Sequence, residues 1–176
     1  MTATIRDAAA GDLAALLAIY NDAVLHTTAT YDDEPRTPQA QAEWFATKQQ
    51  AGYPLLVAEL HGEVAGFATY GAFRGAWPGY RFSVEHGLYV EAAARRLGIG
   101  RRLLDALVER AAAQGLHTMI GGIDAANDAS IGLHAAAGFE RCGVLREVGW
   151  KFGRWLDLLF MQRRLPAGAP TGSARD

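Results

Sequence analysis

Residues 95–115, RRLGIGRRLLDALVERAAAQG, constrain the fold more than any other part of this 176-residue chain. Gly98 and Gly100 are one residue apart, and apolar residues at helical spacing follow them as far as Gly115, a typical helix end. Glycine lets a backbone turn without a Cβ penalty and approach a ligand closely. The first turn of a helix has unpaired N–H groups and a partial positive charge, which suit phosphate. The stretch therefore predicts an anion-binding turn at the start of a helix.

Four arginines flank this turn: Arg95, Arg96, Arg101 and Arg102. A tight strand-to-helix turn with solvated arginines would explain the sequence without any ligand. Arginine in the first turn of a helix is electrostatically unfavourable, however, unless an anion is bound there. We therefore favour an anion site, and the mobile backbone, helix terminus and guanidinium groups together suit a pyrophosphate.

Two kinds of nucleotide-binding motif contain closely spaced glycines before a helix. GIGRRL matches the first two glycines of the dinucleotide fingerprint, with Leu103 in place of the third, and Asp124 lies some twenty residues further on, at the end of the next predicted strand. A dinucleotide-dependent oxidoreductase therefore stays an alternative, although the turn lies in mid-chain after several strands that look antiparallel. No lysine and Ser/Thr follow the glycines, so a nucleotide P-loop is not indicated.

Composition limits the class of protein. Hydrophobic residues make up 50% and charged residues 20% of the chain, which fits one globular domain, predicted over residues 1–165. The net charge of −2 argues against nucleic acid as a partner. Cys142 is the only cysteine, so we expect a buried free thiol, no disulfide and no metal.

The two ends of the chain and its apolar runs bear on location. The N-terminus has no secretory signal, and no apolar run is long enough to span a membrane, so a cytoplasmic protein without a membrane partner is expected. Residues 166–176 are poor in large apolar groups and are predicted to form a disordered tail.

The remaining patterns predict an α+β fold. Asp12 and Thr37 stand where helices begin, and Gly52 ends the second helix. Asn127 or Asp128 caps a later short helix. The predicted order is two helices, a run of strands, then strand–helix–strand–helix–strand–strand around a mixed sheet.

Several motifs resemble those of one enzyme family. Arg95-x-x-Gly98-x-Gly100 after the strand LYV resembles the coenzyme A pyrophosphate loop of the GNAT superfamily of N-acetyltransferases, and NDASIGLHAAAGF resembles its second acetyl-CoA segment. TTATYDDEPRTPQ, VEHGLYV and GWKFGRWLD resemble the phosphinothricin and methionine sulfoximine acetyltransferase branch. The likeness covers the chain up to about Leu165. It implies a single domain with a central mixed, mostly antiparallel sheet, in which a splayed strand pair is flanked by helices.

The resemblance also implies a binding site for acetyl-CoA. In this family a strand backbone contacts the acetyl and pantetheine groups, with a backbone N–H near Val90 for the oxyanion, and the glycine loop holds the pyrophosphate. The residues implied here are Leu88, Tyr89, Val90, Arg95, Arg96, Leu97, Gly98, Ile99, Gly100, Arg101, Asn127 and Ser130. Helix capping alone would explain Asn127 equally well.

Acetyl transfer from a thioester to an amine requires a neutral amine, a donor for the oxyanion and a proton for the departing thiolate. Glu85, on the strand before the loop, is the candidate base. Its sequence context alone favours a solvent-facing glutamate, but the family has a glutamate base at this position. Adjacent strand side chains point to opposite faces, so only one of Glu85 and His86 should reach the cleft, and we choose Glu85.

His134 lies seven residues after Asn127, about two helical turns, so the two can share one helix face. Many family members have a tyrosine there that protonates the thiolate, and the resemblance implies that His134 takes this place. A lone histidine is also often structural, so acid, base and structural roles stay open.

The acceptor site is predicted from aromatic and basic residues. Tyr31, Arg74 and Arg81 lie in loops or just before the strand of Glu85, and an arginine can hold an oxyanion through paired hydrogen bonds. The resemblance implies acetylation of methionine sulfoximine, methionine sulfone or a phosphinothricin-like amine by direct attack in a ternary complex, and a homodimer. A non-catalytic acyl-CoA-binding module is the further alternative.

Overall fold

The computed structural model describes residues 3–166, which form a seven-stranded sheet and four helices. The strands are β1 (Thr4–Asp7), β2 (Leu55–Leu60), β3 (Glu63–Ala72), β4 (Ser83–Val90), β5 (Thr118–Asp124), β6 (Glu140–Lys151) and β7 (Arg154–Arg164). The helices are α1 (Leu13–His26), α2 (Pro38–Gln50), α3 (Ile99–Ala113) and α4 (Asp128–Ala136).

The strands lie in the order β1-β2-β3-β4-β5-β7-β6. Every neighbouring pair is antiparallel except β4 and β5, which are parallel. The predicted α+β class and mixed, mostly antiparallel sheet are confirmed. A dinucleotide fingerprint requires a largely parallel, doubly wound sheet, so the oxidoreductase alternative is wrong.

The parallel pair opens a gap in the middle of the sheet. β4 and β5 pair only where Ser83 to Glu85 lie opposite Thr118 to Ile120. Further along, within the described residues, β4 pairs with β3 alone and β5 with β7 alone. The edge of β4 that faces β5 therefore has backbone groups without a strand partner as far as Val90, which is the predicted splayed strand pair.

Helices on both sides of the sheet place α3 beside β4. Leu55 and Val57 of β2 pack in an apolar cluster with α1 and α2, whereas Leu56 and Ala58 pack in a second cluster with α3. Alternate residues of a strand face opposite sides of a sheet, so β2 is buried on both faces. The predicted caps are confirmed at Thr37, which accepts a hydrogen bond from the N–H of Ala40, and at Asn127.

Three details differ from the sequence prediction. β1 was not predicted, because four residues are too short for a clear alternation, and it is stabilised by pairing with β2. Asp12 precedes α1 without capping it, since its carboxylate accepts a hydrogen bond from the N–H of Ala9 and pairs with Arg6. Cys142 is exposed rather than buried, because β6 is an edge strand.

The predicted tail lies, from residue 167 onward, outside the described residues. Within residues 3–166 no helix is long and apolar enough to cross a membrane. The same residues contain no group of three or more His, Cys, Asp or Glu side chains that could hold a metal ion.

Candidate active site

A cleft of about 800 Å³ opens at the start of α3 and is bounded by β4, the end of α1 and the first turns of α4. This size is typical of small-molecule sites. Leu97 does not line it and is 62% exposed. The other eleven residues predicted to hold acetyl-CoA do line it: Leu88, Tyr89, Val90, Arg95, Arg96, Gly98, Ile99, Gly100, Arg101, Asn127 and Ser130.

The backbone at the start of α3 offers a group of N–H donors to this cleft. Gly98 has a φ of 77°, a left-handed conformation that is strained for residues with a Cβ. The N–H of Arg102 bonds to the carbonyl of Gly98 at 3.2 Å. The N–H groups of Ile99, Gly100 and Arg101 therefore have no acceptor within the helix. Such donors at the positive end of a helix suit a pyrophosphate.

Three of the four flanking arginines are bonded to the protein. Arg95 donates to a carbonyl of β4, at 3.2 Å. Arg101 donates to a carboxylate one turn along α3 and to a carbonyl of α4, at 2.6 and 2.7 Å, and Arg102 donates to the carbonyl that precedes β1. Among the side chains that the structure describes, Arg96 is the one of the four without a hydrogen-bond partner. Arg96 is therefore the flanking arginine whose guanidinium group is most available to a bound anion.

A smaller pocket of about 230 Å³ lies in the gap between β4 and β5. It adjoins the cleft, because residues of β4 and of the start of α4 line both. Glu85 and His134, the two predicted catalytic residues, both line it, together with His86 and Asp124. None of the described residues that line this pocket is lysine or arginine. Its two carboxyl groups therefore favour a positively charged ligand such as an ammonium group.

Glu85 is exposed as a residue, yet its carboxyl group borders the smaller pocket. A Cβ at Gly122 of β5 would lie 3.1 Å from Oε1 of Glu85, so the glycine leaves room for the carboxylate. Partial burial raises the pKa of Glu85. A carboxylate with a raised pKa holds a proton more tightly, which suits a general base.

His134 is buried, and both of its ring nitrogens have partners. Nδ1 lies 2.7 Å from the carbonyl oxygen of Ser130, and Nε2 lies 3.1 Å from Nε2 of His86. Burial lowers the pKa of both histidines, that of His86 to about 3 with a contribution from His134. The histidine predicted as the acid for the thiolate thus has no ring nitrogen free to reach one directly.

His86 lines the smaller pocket beside Glu85, which corrects the expectation that only one of the two reaches it. The alternation of side chains describes a strand within a continuous sheet. Here β5 leaves β4 after Glu85, so residues on both faces of β4 border the gap. The sequence alone gives no signal of where two paired strands diverge.

The three predicted acceptor residues lie outside the walls of both pockets. The hydroxyl of Tyr31 donates to the carbonyl of Asp157 at 3.1 Å, and burial raises its pKa to about 12. The guanidinium of Arg74 stacks 4.8 Å from the ring centre of Trp77. Arg81 is held by the carbonyl of Pro78, at 3.2 Å. The structure therefore does not place Arg74 or Arg81 in the wall of either pocket.

The loop after α1 contributes pocket residues that the sequence analysis missed. Thr28 lines the cleft, Thr30 lines the smaller pocket, and both are anchored by distant residues. Thr28 donates to the buried carboxylate of Asp124, and Nζ of Lys151 donates to the carbonyl of Thr30 at 2.7 Å. Burial lowers the pKa of Lys151. These pairs are 96 and 121 residues apart, so no local pattern could reveal them.

Comparison with known proteins gives consistent matches. The model of the acetyltransferase (GNAT) family matches residues 16–139. The chain is 51% identical to the L-methionine sulfoximine/L-methionine sulfone acetyltransferase of Pseudomonas aeruginosa over 99% of both chains. It is 40% identical to the phosphinothricin N-acetyltransferase of Alcaligenes faecalis, over 96% of this chain and 85% of the relative. A solved phosphinothricin acetyltransferase from Sinorhizobium meliloti, in complex with acetyl-CoA, superposes with a TM-score of 0.92 at 45% identity, covering 97% of this chain and 94% of that one.

Proposed function

Because this chain belongs to the GNAT family of acetyltransferases, we propose that it transfers the acetyl group of acetyl-CoA to the amine of a small amino-acid-like compound. One observation carries the proposal. The cleft at the start of α3 and the smaller pocket around Glu85 share walls, so a thioester and an amine held in the two would meet beside β4.

Acetyl-CoA supplies the activated acetyl group, and the residues of the cleft fit its parts. The free N–H groups at the start of α3 and the guanidinium of Arg96 suit its pyrophosphate. Asn127 and Ser130 border both pockets, next to the position expected for the pantetheine arm. A Cβ at Gly100 would lie 3.2 Å from a leucine methyl group, so the wall of the cleft is already closely packed at this glycine.

The residues of the smaller pocket have separate parts in the reaction. Glu85 accepts the proton of the acceptor's ammonium group, directly or through a water molecule, and so frees the nucleophile. An N–H on the unpaired edge of β4, near Val90, stabilises the negative charge that develops on the acetyl oxygen. When the tetrahedral intermediate collapses, the C–S bond breaks and coenzyme A leaves as a thiolate, which takes up through solvent the second proton that the amine nitrogen loses. The lack of lysine and arginine among the lining residues keeps this pocket favourable for a cation.

The acceptor class follows from the relatives and from the pocket. The relatives are named for methionine sulfoximine, methionine sulfone and phosphinothricin, three small amino-acid analogues. A pocket of about 230 Å³ suits a molecule of that size better than a protein terminus. Roles for Tyr31, Arg74 and Arg81 at the acceptor's oxyanion groups stay predictions.

A homodimer is part of the proposal, and the hairpin of β6 and β7 supports it. Large apolar side chains that are more than 45% exposed concentrate there: the hairpin has six of the nine such side chains in residues 3–166. They are Val144, Leu145, Val148, Trp150, Phe152 and Trp155. An apolar surface of this kind is more often covered by a partner than left in water. A cytoplasmic location also stays a prediction.

The test is release of free thiol from acetyl-CoA in the presence of an amine panel. Turnover is expected with methionine sulfoximine, methionine sulfone or phosphinothricin, and mass spectrometry should find the acetyl group on the amine nitrogen. A reaction without enzyme measures the spontaneous hydrolysis of acetyl-CoA, and Glu85→Gln tests whether turnover depends on the proposed base. Binding of acetyl-CoA without turnover on any amine would contradict the proposal and favour the non-catalytic acyl-CoA-binding module.

A further inference from the structure

Two histidines bridge the gap between β4 and α4: His134 is buried, and His86 is half-buried with its Nδ1 atom enclosed. The ring centres of His86 and His134 are 5.0 Å apart, and the ring planes differ by 20°. Their Nε2 atoms are only 3.1 Å apart, so these nitrogens lie on the facing edges of the two rings. This is the arrangement of a hydrogen bond between imidazoles, in which one nitrogen donates and the other accepts.

The surroundings decide which nitrogen carries each proton. Two groups of Ser130 face Nδ1 of His134, the carbonyl oxygen at 2.7 Å and the hydroxyl at 3.4 Å. The nearer carbonyl can only accept, so Nδ1 of His134 is protonated and, in the neutral ring, its Nε2 is an acceptor. Nε2 of His86 must then donate to it, which leaves Nδ1 of His86 as a bare lone pair. That atom is buried and has no hydrogen-bond partner among the described residues. If His86 were instead protonated on Nδ1, that buried N–H would have no acceptor, so this tautomer of His86 is disfavoured.

The sheet leaves space for this pair at one position. A Cβ at Gly121 of β5 would lie 2.8 Å from Nε2 of His86 and 3.4 Å from the ring of His134. Any side chain at residue 121 would therefore displace the hydrogen bond. The pair also connects two functional elements, because Glu85 precedes His86 on β4 and Ser130 lies one turn before His134 on α4.

We propose that His86 is a positioning residue of the acetyl transfer, which holds His134 in the tautomer protonated on Nδ1 and thereby fixes β4 against α4. The two histidines act as an uncharged brace. The brace sets the separation between the carboxylate of Glu85 and the side of the cleft formed by Asn127 and Ser130. This inference rests on the proposed function, since it assigns His86 a part in that reaction.

The tautomers are measured by long-range ¹H–¹⁵N correlation of the five histidines in the labelled protein at neutral pH. We expect one buried neutral ring protonated on Nδ1 (His134) and one protonated on Nε2 (His86), assigned by their loss in His134→Gln and His86→Gln. His134 protonated on Nε2, or either buried ring charged at neutral pH, would overturn the proposal. This readout does not depend on activity, so it stays decisive even if no amine is acetylated.

Kinetics test whether the hydrogen bond matters beyond packing. In His86→Gln the amide N–H can still donate to Nε2 of His134, whereas His86→Phe fills the space without a donor. We expect kcat to fall about 10-fold to 100-fold in His86→Phe, because a small misplacement of reacting groups is costly, and to stay within about threefold of the parent in His86→Gln. KM for acetyl-CoA should change little in either. His117→Gln, at an exposed histidine, is the matched control.

The order of the two variants decides between the interpretations. If His86 serves only to fill space, the apolar His86→Phe should retain more activity than His86→Gln, and that result would overturn the proposal. Gly121→Ala gives an independent test should His86→Phe fail to fold. It keeps both histidines but displaces their contact, and we expect it to lower kcat like His86→Phe; unchanged kcat with the pair separated would also overturn the proposal.

Discussion

The two pockets carry charged groups of opposite sign. Arg96 and the N–H groups at the start of α3 make the cleft attractive to an anion, while Glu85 and Asp124 make the smaller pocket attractive to a cation. The two histidines between these regions are neutral, because burial lowers the pKa of each. The cleft is thus suited to acetyl-CoA and the smaller pocket to the amine. A substitution that changes the charge of one pocket should therefore affect the binding of one reactant and not of the other.

Glu85 should determine how the rate depends on pH. Its pKa is raised by burial, so the carboxylate becomes protonated at a higher pH than an ordinary glutamate and the base is lost as pH falls. We expect kcat/KM for the amine to fall through that raised pKa on the acid side. Glu85→Gln should lose about 100-fold or more in kcat, the usual contribution of a general base, while acetyl-CoA affinity is retained. The same acid limb in the Glu85→Gln profile would exclude Glu85 as the base.

Arg96 should contribute to acetyl-CoA binding more than the other arginines do. It has no protein partner among the described residues, and its φ of 63° is left-handed. Arg96→Gly relieves that backbone strain and removes the charge, so a weaker affinity cannot be attributed to backbone strain. We expect Kd for acetyl-CoA to rise about 10-fold, as for loss of a charge-assisted hydrogen bond, and to depend less on salt. Isothermal titration measures this, with Arg102→Gln as control; equal effects of the two variants would contradict the assignment.

Within single elements, the turn before α3 combines backbone strain with binding. Gly98 and Gly115 flank this helix with φ values of 77° and 75°, and a Cβ at either would meet nothing within 4 Å. The two glycines therefore have the same conformation, but only Gly98 lines the cleft. They form a matched pair for separating stability from binding.

Gly98→Ala and Gly115→Ala should each lower the free energy of unfolding by about 1 kcal/mol, because alanine is strained in the left-handed region. Only Gly98→Ala should also raise KM for acetyl-CoA, because the strained turn will change its conformation and its N–H groups will no longer point at the pyrophosphate. Gly98→Asn should recover part of both losses, as asparagine tolerates this conformation. Thermal melts and initial rates measure the two quantities. Equal KM values in the two alanine variants would show that the turn conformation does not matter for binding.

The elements also show what the sequence could and could not predict. The glycine turn, the caps at Thr37 and Asn127 and the apolar strands are local patterns, and the structure has each of them. The place where β4 and β5 diverge depends on pairing between segments that are not adjacent in sequence, so the role of His86 in the pocket wall was missed. The bonds of Arg101 and Arg102 to other segments were missed for the same reason.

At the scale of the whole molecule, residues 3–166 leave a large apolar surface uncovered on the hairpin of β6 and β7. β6 is the edge of the sheet, and Trp150 and Trp155 are directly opposite each other on β6 and β7, with ring centres 5.0 Å apart and 55% and 59% exposure. The same hairpin reaches the cleft, because Phe152 and Arg154 at its turn line the cleft wall. Association through this surface would therefore occur beside the active site.

Trp155→Lys should convert a dimer into a monomer. On association, a lysine in the middle of the apolar surface would be buried without a charged or hydrogen-bonding partner. The cost of burying that charge would destabilise the dimer. Sedimentation velocity of the parent should give twice the mass of the chain, and that of Trp155→Lys the mass of one chain. Leu25→Lys is the matched control, since Leu25 is 50% exposed on α1 and does not belong to the hairpin. A parent protein that sediments as a monomer at assay concentration would contradict the dimer. If Leu25→Lys alone dissociated it, the interface would lie on α1 instead.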